Sequence, residues 1–204
     1  MKTFEPYIEE RLEDLEININ SPILEKYIKI FLNKGSAFGS NHSTTQLAIK
    51  GITSLPANLS SALDIGCGSG ILTILLLKLN YKEVLSIDVD PFALNEAKKN
   101  IISNFKKVPQ NVILSEDEIN EINQKFSLVV ANISLNFIYN NFNTIVSLVM
   151  NKGYLVISGF NHKDKEKYVN LASKNDMHLV SEFQEKPWIS LVFRKLSFWY
   201  FQCK

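Results

Sequence analysis

The residues best equipped for chemistry fall in two short clusters, and the first is Asp64-Ile65-Gly66-Cys67-Gly68-Ser69-Gly70. It follows an apolar run at Ala62, Leu63 and Ile65 and opens onto the apolar stretch Ile71 to Leu79. A strand, a glycine turn and a helix in that order make half of a nucleotide-gripping α/β unit. Backbone without Cβ atoms can turn tightly and come close to a ligand, and the helix that follows aims free N–H groups at it. A dinucleotide loop needs its third glycine at position 71, where Ile71 stands; here it comes one residue early, at Gly70. Asp64, ahead of the first glycine, sits badly beside a pyrophosphate but can accept a hydrogen bond from an ammonium group. The loop therefore predicts a nucleoside ligand with an amino-acid end and no phosphate.

The second cluster closes the strand pattern Glu83 to Asp88. Asp88 comes about 20 residues beyond the first glycine, where nucleotide-binding sheets offer a carboxylate to the ribose hydroxyls. Asp88 and Asp90 also suit the capping of a helix that begins at Pro91. Asp-x-Gly-x-Gly-x-Gly after a strand is the pattern of S-adenosylmethionine (SAM) methyltransferases. SAM is the expected cofactor, held by Asp64, Gly66, Gly68, Gly70 and Asp88.

A chain of 204 residues is enough for one sizeable domain. With a formal net charge of +1, 46% apolar and 21% charged residues, it gives no sign of a nucleic-acid partner. No stretch reaches the roughly 20 apolar residues that cross a bilayer. The N-terminus MKTFEPYIEERLEDLE is too acidic for a signal peptide, so no membrane is expected and the location read is cytoplasmic. Cys67 and Cys203 form neither a metal spacing nor a disulfide framework, and Cys67 reads as a small loop residue. No metal is expected.

The elements that must position these residues follow from periodicity. Phe4, Ile8, Leu12 and Leu15 fall at helical spacing, and Ser21-Pro22 predicts the start of a second helix through Leu32. Residues 1–35 thus read as a short helical N-terminal extension, and 36–204 as the cofactor-binding domain. Ser43-x-x-Gln46 is a capping box for a helix to about Thr53, preceded by the polar loop Lys34 to Thr45, of the make-up that carries ligand contacts. Pro91 to Asn104 reads as a helix and Val112 to Leu114 as a short strand. Its exit, Ser115-Glu116-Asp117, could offer an acceptor to an adenine amino group or simply lead into a short helix. Phe126 to Asn132 is a near-continuous apolar run, as a central parallel strand should be. Ligands of open α/β sheets lie beyond the carboxyl ends of the strands, so Gly66, Asp88, Ser115 and Asn132 converge on one crevice. The methyl acceptor is expected beside Asn132 and Ile133, although an asparagine also ends a strand by ordinary turn chemistry. A strand at Tyr154 to Ser158, a helix at Lys163 to Ser173 and a closing antiparallel hairpin, His178 to Phe183 and Trp188 to Arg194, complete the chain.

Residues 36–195 resemble the catalytic domain of the bacterial methyltransferases that trimethylate large-subunit ribosomal protein eleven. The matching motifs are AFGSNHSTT (Ala37 to Thr45), LDIGCGSGIL (Leu63 to Leu72), IDVDPFAL (Ile87 to Leu94), VVANI (Val129 to Ile133) and GYLVISG (Gly153 to Gly159). The resemblance implies a doubly wound, seven-stranded class I methyltransferase (Rossmann-like) sheet. It further implies Gly66, Gly68 and Asp88 on the cofactor, Thr45 over the methionine end, and Asn132 beside the acceptor amine. The loop Gly39 to Thr45 is one residue shorter than the family's GTGxHxTT and lacks its second glycine. The family also carries a separate N-terminal domain that docks the ribosomal protein, whereas only residues 1–35 precede the motif here. The expected activity is SAM-dependent N-methylation of an amine on a protein or small molecule, with ribosomal protein eleven expected to be a poor acceptor. A non-catalytic SAM-binding scaffold and an NAD(P)-binding oxidoreductase are the alternatives.

Overall fold

The computed structural model describes residues 12–20, 25–33 and 42–197. Two antiparallel strands, β1 (Leu12–Asn20) and β2 (Glu25–Asn33), form a separate two-stranded sheet. Then follow α1 (Ser43–Thr53), β3 (Ser61–Ile65), α2 (Ile71–Lys78), β4 (Glu83–Ile87), α3 (Pro91–Phe105), β5 (Val112–Ser115) and β6 (Phe126–Asn132). The chain continues through α4 (Leu135–Asn140), α5 (Phe142–Ser147), β7 (Val149–Asn161), α6 (Lys165–Ser173), β8 (Met177–Glu185) and β9 (Trp188–Lys195). The main sheet has seven strands in the order β5-β4-β3-β6-β7-β9-β8. β3 to β7 run parallel and β9 joins antiparallel.

Helices cover both faces of this sheet, so its middle strands are apolar throughout rather than alternating. On β6, Leu128 and Val130 enter the core shared with α1, α2 and β2, while Val129 and Ala131 face the core under α4, α5 and α6. The chain winds from β3 outward to β5 and then returns to β6 on the other side of β3. The strand order therefore reverses between β3 and β6, and a crevice opens at their carboxyl ends.

The N-terminal extension departs from the sequence reading. The helix expected from Pro22 to Leu32 is strand β2 from Glu25 onward, and the end of the helix expected over residues 4–15 is strand β1; residues 4–11 and 22–24 lie outside the described residues. Packing explains the change. Every residue of α2 from Ile71 to Leu77 is buried, and a helix apolar on all sides needs a cover on its outer face. Ile28, Ile30 and Leu32 supply that cover at strand period, while Tyr27, Lys29 and Phe31 point away from it. Two asparagines of α3 complete the seam. Asn104 accepts from the Phe31 N–H at 3.0 Å and donates to its carbonyl at 2.7 Å. Asn100 accepts from the Asn33 N–H at 2.8 Å and donates to the Ser69 carbonyl of the glycine loop, also at 2.8 Å. Among the described residues no helix is long and apolar enough to cross a membrane.

Candidate functional site

The loop after β3 is laid against the end of β4 by its own backbone. The N–H groups of Gly66 and Cys67 both donate to the Ile87 carbonyl, at 2.8 and 3.0 Å, and Gly70 N–H closes the turn on the Cys67 carbonyl at 2.8 Å. Gly66 sits at φ +70°, and a Cβ there would lie 2.2 Å from Cγ2 of Ile133. No side chain fits between the loops that leave β3 and β6, so glycine at 66 and Ile133 meet at the strand-order reversal. Gly70 caps α2 and packs against Ala97 of α3.

Asp88 is the keystone of this loop. Its Oδ2 accepts from the Gly68 N–H at 2.9 Å and its Oδ1 from the Asp90 N–H at 3.0 Å. Each carboxylate oxygen keeps a second lone pair, which a vicinal diol can use. Asp90 caps α3 by accepting from the Phe92 N–H at 2.9 Å. A cavity of about 490 Å³ opens beside Asp88 and Gly66, with Ile119, Ile133 and Phe137 on its apolar sides and Asp117, Glu118 and Asn141 at its edge. A larger cavity of about 810 Å³ lies at the opposite end of the sheet, around Gln124, Lys125 and Lys195, and holds none of the candidate residues.

Asn132 stands at the carboxyl end of β6, next to Ile133. Its Nδ2 donates to Thr45 Oγ1 at 3.3 Å, and its Oδ1 is buried with no partner among the described residues. Thr44 and Thr45, both buried in the first turn of α1, are fastened from two sides: Ser158 of β7 donates to the Thr44 carbonyl at 2.8 Å, and Asn132 holds Thr45. The capping residue of α1 is His42 rather than Ser43, with its Nδ1 accepting from the Thr44 N–H at 3.3 Å. Sequence reading passed over Ser158, which is one more small polar residue in an apolar strand.

Two expected ligands stand apart from the cavity. Asp64 is 1% exposed; its Oδ2 accepts from the Thr73 hydroxyl at 2.7 Å, and Thr73 shares a 2.7 Å hydrogen bond with Ser86. It supports the loop from behind instead of facing an ammonium group, because Thr73, in the first turn of α2, and Ser86, on β4, bring hydroxyls to it in the interior. Ser115 accepts from the Asp117 N–H at 3.2 Å and lines an adjoining surface pocket with Glu116 and Asp117.

Burial raises the Asp64 carboxyl from 3.8 to about 6, opposed by the Thr73 hydrogen bond and helped by the charge of Asp88. The folded protein thus keeps a proton that the unfolded chain has already lost. Asp64 should therefore make stability fall as pH rises from about 4 to about 6, by up to about 3 kcal/mol, and change it no further above that. Urea unfolding of wild type and Asp64→Asn at pH 4.5 and pH 7.5 checks this: the wild type should lose stability relative to the variant between the two. A constant difference would show that Asp64 is ionised throughout. Burial also pushes the Cys67 thiol well above its ordinary range, which leaves it inert as a nucleophile. Among the described residues no group of His, Cys, Asp and Glu could hold a metal ion.

A seven-stranded sheet with this order, five parallel strands and an antiparallel closing hairpin is the class I methyltransferase fold. A family model described as ribosomal protein L11 methyltransferase (PrmA) matches residues 1–196, and the chain belongs to that family. The ribosomal protein L11 methyltransferase of Staphylococcus saprophyticus is 31% identical over 174 residues, which cover 82% of this chain and 54% of that protein. The one from Thermotoga neapolitana is 28% identical over 197 residues, covering 96% of this chain and 73% of its own length. The crystal structure of ribosomal protein L11 methylase from Lactobacillus delbrueckii subsp. bulgaricus superposes with a TM-score of 0.74 at 29% identity, covering 81% of this chain and 84% of that one. This chain spans 54% and 59% of the length of two staphylococcal relatives.

Proposed function

We propose that this protein transfers a methyl group from SAM to an amine of a protein, and that ribosomal protein L11 is the first acceptor to test. The observation that carries the reading is the Oδ1 of Asn132, buried and without a partner among the described residues, at the strand-order reversal and next in sequence to Ile133, which lines the cleft of Asp88. Buried acceptors without partners are rare, and leaving one costs about 1 to 3 kcal/mol. In this amide orientation the atom can only accept, so the partner it takes is an N–H or O–H donor, and an incoming amine supplies one. The family match over residues 1–196 favours L11 itself, against the poor acceptance expected for it from the sequence. In this reading residues 36–204 carry both cofactor and acceptor.

The residues fit the cofactor. Asp88 has lone pairs for a ribose diol, and the space beside Gly68 is open, since a Cβ added there would meet nothing within 4 Å. When bound, SAM would supply a sulfonium methyl open to in-line attack by the acceptor nitrogen's lone pair, with the thioether sulfur leaving and keeping the electron pair of the broken C–S bond. Catalysis by the chain is then orientation and desolvation. Asn132 Oδ1 holds the N–H of the amine and so aims its lone pair, while Thr45 fixes the Asn132 amide. The amine must arrive as a free base, at a cost at pH 7 of roughly 4.6 kcal/mol for a lysine and about 1 for an α-amine. The apolar walls of Ile133 and Phe137 assist by disfavouring the charged form.

Tritium transfer from SAM to purified ribosomal protein L11 tests the whole reading. Labelled L11 supports it; SAM binding in calorimetry without any labelled protein, from L11 or a cell extract, would leave a SAM-binding scaffold instead. Asp88→Ala should weaken SAM and S-adenosylhomocysteine alike by about 1.5 to 3 kcal/mol, since charge-assisted hydrogen bonds are lost. Unchanged affinity would remove Asp88 from the site.

A further inference from the structure

We infer that the larger cavity, at the amino ends of the parallel strands, is a second ligand site that takes a nucleoside monophosphate. It lies at the end of the sheet away from the crevice, so it is not the place of the cofactor. The inference goes beyond the methyltransferase reading and does not rest on it. Three elements bring cations to this cavity: Lys125 leads into β6, Lys174 follows α6 and Lys195 ends β9. A single carboxylate in the lining, that of Asp176, stands against these three ammonium groups. Among the described residues none of the three pairs with a carboxylate within 4 Å.

Lys195 is held in place without being neutralised. Its Nζ donates to the Val146 carbonyl at 2.7 Å and to the Val149 carbonyl at 3.1 Å. The ammonium group has a third N–H to give. Burial, and after it the charge of Lys125, lowers the pKa of Lys195, with Asp176 opposing them. An anion between the two lysines would relieve that repulsion. A phosphate monoester suits the place, because it brings about −1.5 to −2 charge at pH 7 and three acceptor oxygens.

The rest of the lining asks for more than phosphate. At about 810 Å³ the cavity has the size of a small-molecule site and far more room than one phosphate group needs. Three amides in its wall spend their nitrogens on the protein: Asn123 Nδ2 donates to the Glu121 carbonyl at 3.1 Å, Gln124 Nε2 to Glu83 at 2.7 Å, and Asn175 Nδ2 to the Leu171 carbonyl at 3.0 Å. Their oxygens are left as acceptors, which suit the N–H groups of a base and the hydroxyls of a ribose. Ile122 and Leu148 add apolar surface for the face of a ring. Cations, acceptors and an apolar wall together fit a nucleoside that carries a phosphate.

The probes are AMP, GMP, CMP and UMP, with their nucleosides and inorganic phosphate beside them. Calorimetry uses the full chain saturated with S-adenosylhomocysteine, so that the crevice is closed to the probes. We expect at least one nucleotide to bind with a Kd below about 1 mM, and at least about tenfold more tightly than its nucleoside or phosphate. Lys125→Glu and Lys174→Glu change exposed residues. Each should weaken that binding about tenfold or more, while cooperative unfolding and S-adenosylhomocysteine affinity stay as in wild type. No binding by any of the four nucleotides would overturn the inference, as would a nucleoside or inorganic phosphate that binds as tightly as the nucleotide. Full nucleotide affinity in both lysine variants would also overturn it, by placing the nucleotide elsewhere. Failure of the wild type to bind S-adenosylhomocysteine would count against the methyltransferase reading alone, because the lysine variants still locate the nucleotide.

Discussion

Gly68→Val should abolish SAM and S-adenosylhomocysteine binding while leaving the protein folded. Gly68 lies at φ +53°, and a Cβ at that position meets nothing within 4 Å. The protein itself therefore has room for a larger residue, unlike at Gly66, where Ile133 fills the space. That room adjoins the Asp88 carboxylate, to which the Gly68 N–H donates at 2.9 Å. A branched side chain would stand where the ligand must pass to reach Asp88. It would also carry the strain of a left-handed backbone, roughly 1 to 2 kcal/mol for a residue with a Cβ. The strain is small beside the stability of a typical domain, so circular dichroism and cooperative unfolding should persist. In calorimetry affinity should fall by at least about a hundredfold, more than about 2.7 kcal/mol. Binding within about tenfold of wild type would place the cofactor elsewhere.

The residues around this loop were legible because their constraints are local. A tight turn needs glycine, a carboxylate at the next strand's end holds the Gly68 N–H of that turn, and the spacing from Gly66 to Asp88 is set by one helix and one strand. Asn132 was legible for a related reason: an apolar strand that stops on an amide marks a sheet end. The N-terminal hairpin was hidden, since the apolar letters from Ile23 to Leu32 satisfy both helical and strand periods. What decides between them is the outer face of α2, distant in sequence, which Ile28, Ile30 and Leu32 close. Asp64 was misplaced for a similar reason. Its partners Thr73 and Ser86 are ordinary in sequence, and only the packing of α2 onto β3 and β4 turns them into an interior hydrogen-bonded group. His42 rather than Ser43 is the helix cap because its ring Nδ1 accepts from the Thr44 N–H, and histidine is not among the residue types that mark a helix start in sequence.

Asn132→Ala should leave cofactor affinity within about threefold of wild type and slow methyl transfer by about a hundredfold or more, the order lost when one positioned hydrogen-bonding group is removed from a reacting centre. The amide is held from one side only: Nδ2 reaches Thr45 Oγ1 at 3.3 Å, while the buried Oδ1 has no partner among the described residues. Removing it deletes one long hydrogen bond and one unsatisfied acceptor together, so the folded state should lose less than about 1 kcal/mol and could gain stability. A purely structural asparagine would behave in the opposite way, costing stability and sparing the rate. Single-turnover transfer from tritiated SAM to ribosomal protein L11, beside urea unfolding of the same preparations, separates the two roles. Thr45→Val refines the test. It keeps the shape of the first turn of α1 but removes the hydroxyl that fixes the Asn132 amide, so it should slow transfer less than Asn132→Ala does, and through the same step. A normal transfer rate in Asn132→Ala would mean that the orphaned oxygen does not meet the acceptor, and that the methyl group is delivered to another part of the crevice.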